Sequence, residues 1–182
     1  MTLYLFCSSH IEPLFQKDQK VLELACGTGQ FTIFLAEKSK QWIATDFSKK
    51  MIQETRKRIN KRNVFFDVQD ATKLSYENDS FDVVLIANGL HIMPHPEEAL
   101  QEIKRILKPD GILIAPTFVY EEGINKFRLK VMEKIGFKTF HQWAAKEYVD
   151  FITSQGYTIV SNELINAKPL PECILICKNA GS

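Results

Sequence analysis

The sequence predicts an α/β fold, a doubly wound and mostly parallel sheet with helices on both faces. Three observations carry this. Short apolar runs at 21–24, 42–45, 64–69, 81–87 and 112–115 alternate with stretches whose apolar residues recur at helical spacing. The run 81–87 is nearly continuous in Val, Leu and Ile, as a central parallel strand buried on both faces should be. Gly27 and Gly29 follow the first run and open a new amphipathic segment, which reads as strand, tight turn and helix.

Length and composition fit one domain spanning 1–182. The chain has 182 residues, 45% hydrophobic and 25% charged, with a formal net charge of +1. Such balance argues against a protein whose affinity comes mainly from neutralising nucleic-acid phosphates. Cys7, Cys26, Cys173 and Cys177 form no Cys-x-x-Cys pair, and no apolar run is long enough to span a bilayer. Residues 3–7 are apolar but lack the basic flank and length of a secretory segment, so a reduced cytoplasmic setting is expected. Nothing in the sequence fixes an oligomeric state.

In chain order, residues 1–20 form a short segment ahead of the first strand. After the glycine turn, Phe31, Phe34 and Leu35 share a helical face, and 42–45 reads as a second buried strand ending at Asp46. Ser48 can cap a helix whose Met51, Ile52, Thr55 and Ile59 face inward, leaving Lys49, Lys50, Arg56, Lys57 and Arg58 as a solvated basic face. The third strand, 64–69, delivers Asp70 and Ala71 at its end. The fourth ends in Asn88, Gly89, Leu90 and His91. Pro96 opens a helix with Ala99, Leu100, Ile103, Ile106 and Leu107 on one face, closed by Lys108-Pro109-Asp110-Gly111 before the fifth strand.

Simple alternation then stops. Phe118, Tyr120, Phe127, Phe137, Phe140 and Trp143 crowd a connection, 118–143, that reads as a cap. A helix over 123–135 is expected within it, with Phe127, Val131 and Ile135 on one face and Gly136 as its stop. The aromatic set suits either a wall for an apolar or cationic substrate or packing of the cap onto the sheet. A helix over 143–155 follows, then two strands at 157–165 and 172–178 that close the chain as a hairpin. Cys173 and Cys177 lie on one face of the last strand as packing residues, and no metal site is expected.

The glycine turn excludes one familiar tenant. A dinucleotide site would carry a third glycine where Thr32 stands, and Glu23 would repel a pyrophosphate. An acid there suits a cation. Together Glu23, Ala25, Gly27 and Gly29 resemble the first motif of the class I S-adenosylmethionine-dependent methyltransferases, although Ala25 stands where that family usually has glycine. The Leu-Lys-Pro-Asp-Gly turn at 107–111 is similar to the same family. This resemblance implies a Rossmann-like sheet with an antiparallel C-terminal strand, S-adenosyl-L-methionine as cofactor, and methyl transfer as the activity. It also implies that Glu23 faces the methionine ammonium and that Asp70 and the Ala71 N–H read the adenine edge. Asp46, about twenty residues beyond the glycines, is placed to hold the ribose diol, with Phe47 beside the adenine. Met51 and Asn88 complete the expected cofactor-side residues.

The acceptor is less legible. No Pro-Pro-aromatic run follows Asn88, and no Pro-Cys dipeptide occurs, which argues against the amino-methylating nucleic-acid enzymes and the cytosine-C5 enzymes. A small-molecule acceptor is expected, in a pocket bounded by 88–93 and the cap; a protein or RNA acceptor, or a cofactor-binding protein without activity, are the alternatives. His91, just after the fourth strand, is the candidate base if one is needed, ahead of His95 and His141. Cys26 reads as a small packing residue.

Overall fold

The computed structural model describes residues 3–120, 139–166 and 170–179. The helix expected over 123–135 lies outside the described residues, as do Phe127, Val131, Ile135, Gly136 and Phe137. Seven strands form one sheet: β1 (Lys20–Leu24), β2 (Gln41–Asp46), β3 (Val64–Val68), β4 (Phe81–Ile86), β5 (Leu107–Phe118), β6 (Tyr157–Ile165) and β7 (Glu172–Asn179), in spatial order β3-β2-β1-β4-β5-β7-β6. β1 pairs in parallel with both β2 and β4, while β7 runs antiparallel between β5 and β6. The chain therefore reverses its direction of travel across the sheet between β1 and β4, which opens a crevice outside the strands' carboxyl ends.

Helices cover both faces, as expected. α1 (Leu3–Ile11), α2 (Gln30–Leu35) and α3 (Lys49–Arg58) pack on one; α4 (Pro96–Ile106) and α5 (Ala145–Ser154) pack on the other. Strand side chains divide between the two layers with period two: Leu22, Leu24, Val84 and Ile86 join one core, Val21, Trp42, Val83 and Leu85 the other. α3 starts where Ser48 Oγ accepts a hydrogen bond from Met51 N at 3.4 Å, and its last turn holds Arg56, Lys57 and Arg58 at the negative end of the helix dipole. α4 shows the complementary charge order, Glu97 and Glu98 first, Lys104 and Arg105 last.

Two boundaries differ from the sequence expectation. β5 begins at Leu107, so Lys108-Pro109-Asp110-Gly111 belongs to the strand; the irregular register between Phe81 and Val83 absorbs the proline-containing stretch. α5 starts at Ala145, because Trp143 O accepts from Tyr120 N at 2.9 Å and ties its residue to the end of β5. The N-terminal segment, for which no element was expected, folds as α1 followed by a single 3-10 turn at Glu12–Leu14.

Candidate active site

Three residues at and just after the end of β1 sit in three different settings. Glu23 is buried beneath the turn, where its Oε2 accepts from Thr32 Oγ1 at 2.5 Å and from Trp42 Nε1 at 2.8 Å. Thr32, the residue that breaks the dinucleotide glycine pattern, thus serves the acid. Burial raises the Glu23 carboxyl to about 7 even though both donors favour its charged form. Ala25 sits at φ 53°, a left-handed conformation that glycine takes without strain and alanine does not. Cys26 is buried, and burial raises its thiol well above the ordinary range, which fits a packing role.

The two glycines differ in what their missing side chains allow. A Cβ on Gly27 would meet nothing within 4 Å, so its backbone faces open space. On Gly29 the same atom would lie 2.6 Å from Ile59 Cδ1 and 2.7 Å from Thr55 Cγ2. Gly29 therefore admits α3 against the turn, and of the two glycines only Gly27 leaves open space beside its backbone.

Asp46 links this turn to the second strand. Its Oδ2 accepts from Gly27 N at 2.9 Å and its Oδ1 from Ser48 N at 2.8 Å, which fixes the carboxylate while each oxygen keeps a second lone pair. Phe47 beside it is 77% exposed, an apolar ring held in solvent at the mouth of the crevice. Beyond β3, Asp70 Oδ1 accepts from Thr72 N at 2.9 Å and Thr72 Oγ1 at 2.8 Å, and Ala71 is buried next to it.

A cavity of about 530 Å³ joins these positions, lined by Ala25, Asp46, Phe47, Asp70 and Ala71 and completed by Ile92, Met93, His95 and Glu98. That volume suits a drug-sized ligand. Five of the expected residues are thus brought together. Glu23, Gly27, Gly29, Met51, Asn88 and His91 do not line this cavity, Glu23 because it lies under the turn. Ile92 and Met93 fall within the pocket boundary expected at 88–93; Pro94, His95 and Glu98 extend that wall beyond it.

Asn88 and His91 are held by a separate set of contacts. Asn88, at φ 53°, accepts from Phe118 N on Oδ1 at 3.0 Å and donates from Nδ2 to Glu172 Oε1 at 2.8 Å. Cys7 Sγ donates to the other oxygen, Glu172 Oε2, at 2.6 Å. Both ends of the amide are bonded, one to β5 and one to β7, so it acts as a clip between strands. His91 is 3% exposed, with Nδ1 at 2.9 Å from Thr117 Oγ1. Burial, then the neighbouring His141, lower its imidazole to about 4. It is neutral at physiological pH and its setting is that of a bracket between β4 and β5.

A model of the methyltransferase domain matches residues 21–111, half of the chain. The chain belongs to the methyltransferase domain family. A demethylmenaquinone methyltransferase from Lactobacillus johnsonii is 42% identical over 97 residues, covering 50% of this chain and 40% of that protein. One from Lactococcus lactis is 34% identical over 149 residues, covering 72% of this chain and 59% of that protein. The methyltransferase chain therefore spans roughly half the length of these two relatives. A SAM-dependent methyltransferase from Methanosarcina mazei shares its fold, with a TM-score of 0.78 at 19% identity over 95% of this chain and 98% of that one. S-adenosylmethionine is the cofactor that fits this family, and the residues present suit it: open space over Gly27, an acid with spare lone pairs at Asp46, and a second at Asp70.

Proposed function

We propose that this chain is an S-adenosylmethionine-dependent methyltransferase whose acceptor is a small hydroxylated aromatic molecule, the class to which demethylmenaquinone belongs in its reduced form. The observation that carries the reading is the single cavity that unites Ala25 of the first strand end, Asp46 and Phe47 of the second, and Asp70 and Ala71 of the third. When bound, the cofactor supplies a methyl group already activated by its sulfonium charge. The chain's own residues bind and orient. Asp46, locked by Gly27 N and Ser48 N, offers its remaining lone pairs to a hydroxyl pair. Asp70 accepts from an exocyclic amine while Ala71 N donates to a ring nitrogen, a pairing that selects adenine. Phe47 covers the base. Glu23 lies beneath the turn, with Thr32 and Trp42 holding its orientation.

The small-molecule class is supported by the names of the relatives and by the aromatic residues Phe118, Tyr120, Phe140 and Trp143. Orientation of two bound reactants can lower a barrier by roughly 7–11 kcal/mol, so a protein that aligns and dehydrates the pair has most of what the reaction needs. Incubation of the purified chain with methyl-labelled S-adenosylmethionine and reduced demethylmenaquinone should place label in the solvent-extractable product. Label in added protein or RNA, with none in the quinol, would overturn the small-molecule reading; cofactor binding with no label anywhere would make the chain an inactive binder.

A further inference from the structure

Charge is distributed unevenly over this chain. Residues 49–62, which form α3 and the residues after it, hold seven of the 23 lysines and arginines and one of the 22 acids, a net charge of +6 in a chain whose total is +1. Six of the seven, Lys49, Lys50, Arg56, Lys57, Arg58 and Arg62, are exposed. Little nearby neutralises them. Glu54 pairs with Lys57 at 2.8 Å and Glu37 with Lys61 at 3.3 Å, whereas Lys49, Lys50 and Arg62 make no salt bridge among the described residues. Arg56 and Arg58 are fixed without being neutralised. Arg56 Nη2 donates to Phe66 O at 3.0 Å and Arg58 Nη1 to Thr28 O at 2.8 Å, both uncharged carbonyls.

Helix stability does not explain this pattern. Lys49 and Lys50 stand in the first turn of α3, at the positive end of its dipole, where a cation is unfavourable, and no acid accompanies them there. An external anion would offset that cost. Apolar surface adjoins the cations. β3 is the terminal strand on this side of the sheet, so its outer edge pairs with no other strand. Val64 and Phe66 pack in the core layer beneath α3, and Val68 shares their face by the period of two yet stays 45% exposed. The Arg56 guanidinium lies 5.7 Å from the centre of the Phe66 ring, which joins the flank of α3 to this edge.

We propose that the outer face of α3, with the adjoining edge of β3, is a docking surface for a membrane that carries anionic lipid. Each lysine or arginine near such a surface is attracted to it, and an exposed apolar side chain beside them gains by entering the headgroup boundary. Charge alone would also suit a nucleic acid. Between the cations, however, the exposed positions are Gln53 and Asn60, with no aromatic ring to stack on a base. The inference goes beyond methyl transfer and does not depend on it. Phe47, at the mouth of the cavity, stands two residues before Lys49, so the docked face adjoins that mouth.

The test is flotation of the full chain with vesicles of phosphatidylcholine, alone or mixed with phosphatidylglycerol. Wild type should bind the mixed vesicles at least about tenfold more tightly than phosphatidylcholine alone, and added salt should release it. The double variant Lys49→Glu/Lys50→Glu should bind the mixed vesicles at least about tenfold more weakly than wild type. It should melt no lower, because it places acids at the positive end of the helix, and should bind S-adenosylhomocysteine as wild type does. Lys146→Glu/Lys178→Glu makes the same change in net charge at exposed lysines of α5 and β7, and should keep the preference for the mixed vesicles. Equal binding of wild type to both vesicle types, equal binding of wild type and Lys49→Glu/Lys50→Glu, or equal loss in the two double variants would overturn the proposal. So would wild type that binds single-stranded RNA more tightly than the mixed vesicles, which would give the face to nucleic acid. Flotation is read without methyl transfer, so failure here leaves the methyltransferase reading untouched.

Discussion

The two sides of the crevice are built differently. Over β1, β2 and β3 the side chains are fixed by partners no more than 19 positions away: Asp46 by Ser48 N and by Gly27 N, Asp70 by Thr72, Glu23 by Thr32 and Trp42. Over β4, β5 and β7 the partners come from farther across the sequence: Cys7 with Glu172, Asn88 with Glu172 and Phe118, His91 with Thr117 and with the amides of Phe140 and His141. A side built from local turns can be kept as a motif. One built from distant contacts is set only when the strands come together.

The largest expected effect on the cofactor side is in pH dependence. Glu23 is raised from 4.5 to about 7 on folding, so its contribution to stability is full below the unfolded value and is lost as pH rises through the folded one. Glu23→Gln keeps an acceptor for Thr32 and Trp42 without the charge. Melting curves between pH 4 and 8 should show wild type losing stability relative to Glu23→Gln as pH rises, by a total on the order of 3 kcal/mol. Parallel curves would mean that the acid does not titrate in this range.

Next comes the contrast between Asp46 and Asn88. Asp46→Ala removes a charged acceptor from the cavity and should weaken S-adenosylhomocysteine binding by about 2 kcal/mol, measured calorimetrically. Asn88→Ala should cost a similar amount in folding stability instead, because it strands the Glu172 carboxyl and Phe118 N, while cofactor affinity changes much less. Asn88→Gly should recover about 1 kcal/mol of that loss, since glycine takes the left-handed backbone freely. An Asn88→Ala variant that lost cofactor affinity as Asp46→Ala does would erase the division between the two sides.

The smallest effect is at Ala25. Ala25→Gly relieves a left-handed alanine and should stabilise the fold by up to about 1 kcal/mol, seen as a higher melting temperature. A lower one would show that the methyl packs in a way that outweighs its strain.

The same division explains what could be read in the sequence. The strands, the sheet and the residues Ala25, Asp46, Phe47, Asp70 and Ala71 follow from short-range signals: apolar runs, a glycine turn, acids at strand ends. Gly29 was legible as a glycine that something must approach closely, but whether a ligand or Ile59 and Thr55 approach it is a fact of packing. His91 looked like a base because it follows β4; only the fold shows it closed in by Thr117 and lowered to about 4. Asn88 and Glu172 are 84 positions apart, and no local pattern announces their pairing. The extension of the cavity wall beyond the expected 88–93 boundary, to Pro94, His95 and Glu98, was missed for the same reason.

The central claim is that the crevice over β1, β2 and β3 is built for S-adenosylmethionine. Calorimetric titration of the folded chain with S-adenosylmethionine, S-adenosylhomocysteine and NAD tests it most directly. The account predicts saturable binding of the first two, none of NAD, and loss of affinity in Asp46→Ala. Binding of NAD, or no binding of either sulfur compound by a chain shown to be folded by circular dichroism, would contradict it.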